Sequence, residues 1–433
     1  MMVATDESTS RNAHPLVQAL QDEKTPVVKA LVQTLTDHFE EQTCLLAICP
    51  NSRAVTKAAL LAAQEANAPL LFTSTLNQVD RDRGYTGWTH DDLIGFIDRK
   101  ADQLDLDVPI LPCLDHGGPW LKDRHVIEDY TYEEAMSAVK RSLESCIDAG
   151  YELLHIDPTV DQRQPDREPT SIDWVVEHTL ELIEHAEAYR RGQGRPPISY
   201  EVGTEEVHGG LADRDKFERF LEGLDAGLRE RGLDDAWPCF VVGKVGTDLD
   251  TSYFEPDTAR DLTTRTKPYG ALVKGHYTDY VDNPDDYPLA GMGGANVGPE
   301  FTEEEYKALM DLVDLEHKIG KTSGLKKALR EAVVESGRWK KWLHADEEGR
   351  AFNELDEERQ NWLIRTGSRY VWSDREVSTA RARLYENLDG YRDAEGYVLW
   401  RIKQAMMKYY HAFNLIDFNS RLERVLLPTQ EPA

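Results

Sequence analysis

With 433 residues, 40% hydrophobic and 30% charged, the chain can hold one large barrel plus an extension or two ordinary domains, and no run approaches the ~18 uninterrupted apolar residues of a membrane helix. The net charge of -29, from 79 acidic against 50 basic residues, would repel a phosphate backbone, so nucleic acid is not an expected partner; an acidic, lysine-poor surface suits a salt-rich cytoplasm. The opening residues are mostly polar and lack the apolar centre of a signal peptide, so a cytoplasmic location is expected.

Residues 1–39 read as an N-terminal helical cap, from the helical patterns around Pro15-Leu16-Val17 and from Val27 to Leu35. Residues 40–319 then alternate short apolar runs with longer stretches of helical period. Eight runs predict strands: Cys44 to Pro50, Pro69 to Thr75, Val108 to His116, Glu152 to Pro158, Ile198 to Glu205, Phe240 to Gly246, Gly270 to Tyr277 and Pro288 to Asn296. Helices are predicted over Ala54 to Ala66, Asp91 to Gln103, Tyr132 to Ala149, Ile172 to Arg190, Asp213 to Arg231, Pro256 to Thr264 and Thr302 to Lys318. Strand-helix alternation repeated eight times is the arithmetic of a (β/α)8 TIM barrel. A doubly wound open sheet is the alternative, but no glycine fingerprint follows the first strand. Residues 320–433 read as a helical C-terminal extension (Leu325 to Ser336, Trp339 to Leu343, Glu357 to Arg365, Ser378 to Leu388, Tyr397 to Tyr410) that covers the barrel or builds an oligomer interface; a homo-oligomer is expected. The five scattered cysteines read as buried free thiols.

In a barrel, functional side chains stand at the C-terminal ends of strands. There the chain places Asp115-His116-Gly117-Gly118, His155-Ile156-Asp157, Glu201 to Glu205, Lys244, Lys274-Gly275-His276 with Asp279, and a glycine-rich stretch around Asn296. Imidazole and carboxylate are the ligands of a catalytic divalent metal, with zinc expected and manganese or another divalent ion as alternatives. His116, His276 and one glutamate of strand five form the expected ligand set; Glu201 and Glu205 share strand parity and stand as rivals or partners, for the metal or for acid-base work. A polar pocket without metal is the competing reading. Asp115 is expected to move a hydroxyl proton, or else to fix the tautomer of His116. Lys244 and Lys274 could neutralise a substrate anion or pair with neighbouring acids. The backbone of Gly291 to Gly298 and the helix after it could cradle an anion. Asn77, Gln78, Asp157, Asp279 and Asn296 complete the substrate-binding candidates.

Asn77-Gln78-Val79 with Gly84-Tyr85-Thr86-Gly87, Asp115-His116 with Gly118-Pro119, His155-Ile156-Asp157, Gly203-Thr204-Glu205 with Gly209-Gly210, His276 with Thr278-Asp279-Tyr280, Val297-Gly298-Pro299 and Trp339-Lys340-Lys341 carry a resemblance. Over residues 40–425 the chain resembles the Z-type subunit of class II D-tagatose-1,6-bisphosphate aldolase, an accessory partner of the catalytic Y-type subunit. The resemblance implies a TIM barrel of the class II aldolase type, with Asp115 and His116 standing at the general-acid and metal-ligand positions. It also implies a sugar or sugar phosphate as substrate, and chemistry at C4 of a ketose by epimerisation or aldol cleavage. A class II aldolase catalytic subunit is the partner implied by the alternative, a non-catalytic accessory role. Glu201 departs from the accessory pattern, which has an apolar residue there, and so favours an active site. Lys244 and Gly291-Met292-Gly293-Gly294 also depart from that pattern, which leaves the sugar open.

Overall fold

Eight short buried runs form the strands β1 (Leu45–Ile48), β2 (Leu70–Thr75), β3 (Ile110–Gly117), β4 (Leu153–Ile156), β5 (Ser199–Gly203), β6 (Phe240–Val242), β7 (Leu272–Gly275) and β8 (Gly294–Val297). The structure is a computed structural model, and it describes residues 13–21, 24–40, 42–163, 170–203, 212–247, 251–344 and 346–427. Each strand pairs in parallel with the next, and β8 closes on β1 from Leu45 opposite Gly294 to Ile48 opposite Val297, giving the (β/α)8 barrel. Both faces of such strands are covered, which is why Leu45-Leu46-Ala47-Ile48 is a continuous apolar run and not an alternating one.

The helices before and around the barrel are α1 (Pro15–Leu20), α2 (Val27–His38), α3 (Arg53–Ala66), α4 (His90–Leu104), α5 (Asp123–Ile127), α6 (Tyr132–Ala149), α7 (Ile172–Gly192), α8 (Arg214–Glu230), α9 (Pro256–Thr266), α10 (Asp286–Leu289) and α11 (Pro299–Lys318). Their ends are written locally. Thr89 and Thr131 start α4 and α6 with capping boxes to Asp92 and Glu134, each worth about 1 kcal/mol, and Gly150 ends α6 in the left-handed conformation. The last strand differs from its predicted span. Pro288 and Leu289 belong to the short helix α10, the chain turns at Gly291 with φ 77°, and pairing begins only at Gly294. The helix after it starts at Pro299, earlier than Thr302, because proline is tolerated in a first turn.

The N-terminal helices sit at the end of the barrel where strands begin: Lys29 N donates to Ser199 Oγ at the start of β5, and Lys29 Nζ donates to Trp237 O before β6. The C-terminal extension comprises α12 (Leu325–Ser336), α13 (Glu357–Gly367), α14 (Arg375–Leu388), α15 (Ala394–Ala412) and α16 (Phe418–Leu426). Helix α15 packs between α3 and α11. A tight turn over Arg338–Trp342 crosses the opposite end, where Lys341 pairs with Asp123, and Ser373 Oγ donates to Tyr85 O at 2.5 Å. The extension therefore roofs the strand C-termini. All five cysteines are buried free thiols, and among the described residues no helix is long and apolar enough to cross a membrane.

Candidate metal centre at the barrel mouth

Asp115 and His116 are adjacent on β3, and in a regular strand they would face opposite sides. The pairing of β3 with β4 shifts register between Leu114 and Gly117, and His116 takes φ 52°, a left-handed backbone that non-glycine residues seldom hold. This bulge turns both side chains into the mouth, with His116 Nε2 3.6 Å from Asp115 Oδ1. The loop that follows runs hard against β4: a Cβ on Gly118 would stand 1.7 Å from the carbonyl oxygen of Asp157.

Three imidazoles from three strands converge there. The rings of His116 and His276 lie 4.8 Å apart, those of His116 and His155 5.1 Å, and those of His155 and His276 5.3 Å. Carboxylates interleave them. Asp115 Oδ1 is 3.3 Å from His155 Nδ1 and 3.8 Å from His276 Nε2; Glu201 Oε1 is 3.0 Å from His276 Nε2 and 3.7 Å from His155 Nδ1. Asp157 Oδ2 lies 2.5 Å from His116 Nδ1, while its other oxygen accepts from Thr159 Oγ1. That contact fixes the ring of His116, a role assigned above to Asp115 as its alternative. Two sets have ligand atoms within 4.8 Å of one another: Asp115, His155, Glu201 and His276, and His116, His155 and Asp157.

Burial opposes every charge in this cluster, yet the carboxylates stay ionised. Asp115 is held well below the usual carboxylate range because His116 and His276 outweigh its desolvation. Glu201, fully buried, is brought down to about 2 by Lys274 and His155 against the same penalty. Desolvation would also lower His116, but Asp115 and Asp157 push it up to about 9. His276 goes the other way: desolvation lowers it, with Asp115 and Glu201 opposing. Ionised oxygens beside a neutral imidazole are the donors a divalent cation takes, and His155 Nε2 is buried with no hydrogen-bond partner. The residues fit a metal ion.

A cavity of about 480 Å³ opens over the cluster, lined by Asp115, His116, His276, Gln78, Asn296 and Asp279, and by Arg338, Lys341, Trp342, Arg369 and Tyr370 of the extension. Both amide atoms of Asn296 are buried without a partner, as a group awaiting a hydroxyl would be. Asn77 and Gln78 line the cavity but brace the scaffold: Asn77 Nδ2 donates to Leu121 O and its Oδ1 accepts from Asp123 N, while Gln78 Nε2 donates to Asn51 Oδ1 and its Oε1 accepts from Thr75 N. Lys274 is not on the cavity wall; it donates to Glu201 Oε2 at 2.5 Å, the pairing weighed against an anion-binding role. Lys244 lies past the end of β6, half-buried, and does not line the cavity either. Glu205 and Gly209-Gly210 lie outside the described residues.

The glycine-rich turn holds no free cradle. Gly298 N and Glu300 N, at the N-terminus of α11, donate to Asp279 Oδ1 at 3.0 and 2.8 Å. The chain's own carboxylate takes the place of an external anion. Burial, with Glu300 adding, raises Asp279 to about 7. Sequence reasoning passed over His155 as a ligand, although it shares strand parity with Asp157, and it passed over the arginines of the extension, which no local pattern connects to the mouth.

Residues 29–421 match the family described as D-tagatose-1,6-bisphosphate aldolase subunit GatZ/KbaZ-like. Among solved structures the chain is similar to a probable tagatose 6 phosphate kinase from Sinorhizobium meliloti 1021, at 21% identity over 85% of this chain and 100% of that one, with a TM-score of 0.72. It is also similar to fructose-bisphosphate aldolase from Campylobacter jejuni, at 11% identity over 90% of this chain and 95% of that one, with a TM-score of 0.50. At such identities these likenesses speak for the barrel alone.

Proposed function

The chain belongs to the GatZ/KbaZ-like family of D-tagatose-1,6-bisphosphate aldolase subunits, and from that premise we propose that its barrel mouth is a metal-dependent site for a ketose or ketose phosphate, acting at C4 by epimerisation or aldol cleavage. The observation that carries this reading is the convergence of Asp115, His116, His155, Glu201 and His276 beneath a cavity of sugar size. His155, Glu201 and His276 would hold the ion, zinc in the first instance, with Asp115 and His116 beside it. When bound it supplies Lewis acidity toward a carbonyl or hydroxyl oxygen.

The remaining work falls to the chain's own groups. Asp115 is ionised, buried and open to the cavity, so its carboxylate is placed to take a substrate hydroxyl proton and return it. Asp157 orients His116 through Nδ1 and keeps Nε2 toward the mouth. Asn296 offers an amide nitrogen as donor and an amide oxygen as acceptor to sugar hydroxyls. The roof formed by Trp342 and Tyr370 limits water at the reacting end.

The family match bears more directly on a second reading than on turnover: the chain is a non-catalytic subunit that stabilises a separate class II aldolase polypeptide. Metal analysis of the purified protein, followed by carbon-13 NMR of fructose, tagatose and their phosphates incubated with it alone, separates the two. Turnover that stops with chelator supports the first. No turnover of any ketose, together with a higher melting temperature for an added catalytic aldolase subunit, supports the second and overturns the first.

A further inference from the structure

Arg369 lies on the cavity wall in the segment between α13 and α14 and is only 7% exposed. Its guanidinium carbon lies 4.7 Å from the centre of the Trp342 ring and 5.1 Å from that of Tyr370, with the Tyr370 hydroxyl and the Asp279 carboxyl acting on its charge. Its Nε is buried with no hydrogen-bond partner, and among the described residues it forms no salt bridge. A buried arginine that keeps donors unmatched is costly unless something outside the chain completes it. Other cationic and anion-binding groups nearby already face an acid of the chain: Lys274 pairs with Glu201, Lys341 with Asp123, and the N-terminus of α11 with Asp279, while Arg338 shares Asp123 as an ion pair at 3.4 Å although its Nη1 makes no hydrogen bond.

We propose that Arg369 is a specificity-determining residue that receives an oxyanion, phosphate ester or carboxylate, carried by the sugar that the cavity binds. This rests on the reading of the cavity as a sugar site, not on the metal. A planar guanidinium beside two aromatic rings presents paired N–H donors in the geometry that carboxylate and phosphate oxygens accept. Charge selection thus comes from the helical extension rather than from the barrel strands.

Titration calorimetry on the full-length protein with D-fructose, D-fructose 6-phosphate and D-fructuronate, and with inorganic phosphate as competitor, tests this. At least one charged sugar is expected to bind about tenfold or more tighter than fructose. Phosphate competition marks a phosphate ester as the ligand, and fructuronate binding without it marks a carboxylate. Arg369→Gln should abolish the preference, bringing the affinity for the charged sugar down to that for fructose, and Arg369→Lys should retain part of it. Equal binding of all three sugars by the native protein, a result that needs no variant, overturns the proposal. So does a folded Arg369→Gln protein that keeps the preference. Repeating the native titration in chelator separates this inference from the one above: charge preference that persists there supports Arg369 whether or not the protein as purified holds an ion, and loss of the preference on chelation overturns it.

Discussion

Replacing Lys274 by methionine removes the ammonium that sits 2.5 Å from Glu201 in a fully buried position, with almost no change in volume. His276 remains 3.0 Å from the same carboxylate but is kept neutral by desolvation, so the charge of Glu201 is left without a permanent counterion. Breaking one side of a buried pair costs about 3–5 kcal/mol. An unfolding entropy of roughly 2.1 cal/mol/K per residue over this chain gives about 0.9 kcal/mol/K, so the melting temperature should fall by about 3–6 °C. Calorimetry in chelator should read that loss. Because Glu201 also faces the cation site, excess zinc or manganese should return most of it, and should stabilise the variant more than the native protein. An unchanged melting temperature in chelator would refute the buried-pair argument. A loss that metal does not repair would refute the assignment of Glu201 to the ion.

His276→Ala should lower bound metal well below one ion per chain in elemental analysis, while Asp115→Asn should keep the ion and reduce turnover by about 10²–10⁴-fold; full activity in either contradicts the role given. His90 is buried against Ser145 and pushed down to about 4 by desolvation. Unfolded, it gains a proton below about 6.5, whereas folded it stays neutral to about 4; the stability it contributes is present above pH 6.5 and declines as pH falls through that window, by up to about 3 kcal/mol. Urea midpoints at pH 7.5 and pH 5 should therefore differ less in His90→Gln than in the native protein, and an unchanged difference would exclude His90 as the cause. Gly118→Ala forces a Cβ onto the Asp157 carbonyl and should lower both the melting temperature and metal occupancy; native values for both would show that the loop can move aside.

The barrel was legible because parallel strands covered on both faces leave unbroken apolar runs, and because caps such as Thr131 with Glu134 are local. The start of the last strand was not, since Pro288 and Leu289 are apolar like a strand but fold into a helical turn ahead of Gly291. Asp115, His116, Glu201 and His276 could be picked out by their place at strand ends. Their mutual arrangement could not: the bulge at His116 depends on a register shift that side-chain types do not encode. The same holds for Lys274, which pairs with a glutamate two strands away. Arg369 was invisible because its relation to the mouth exists only once the extension has folded back.

Lys341 reaches Asp123 across 218 positions of chain, and Ser373 reaches Tyr85 across 288. The floor of the pocket is thus made early in synthesis and its ceiling late. On the ribosome the strands can close and the imidazoles gather while the chamber is still open to water, and a chain that stalls after α11 would display donors for an ion without the arginine wall that selects what lies above it.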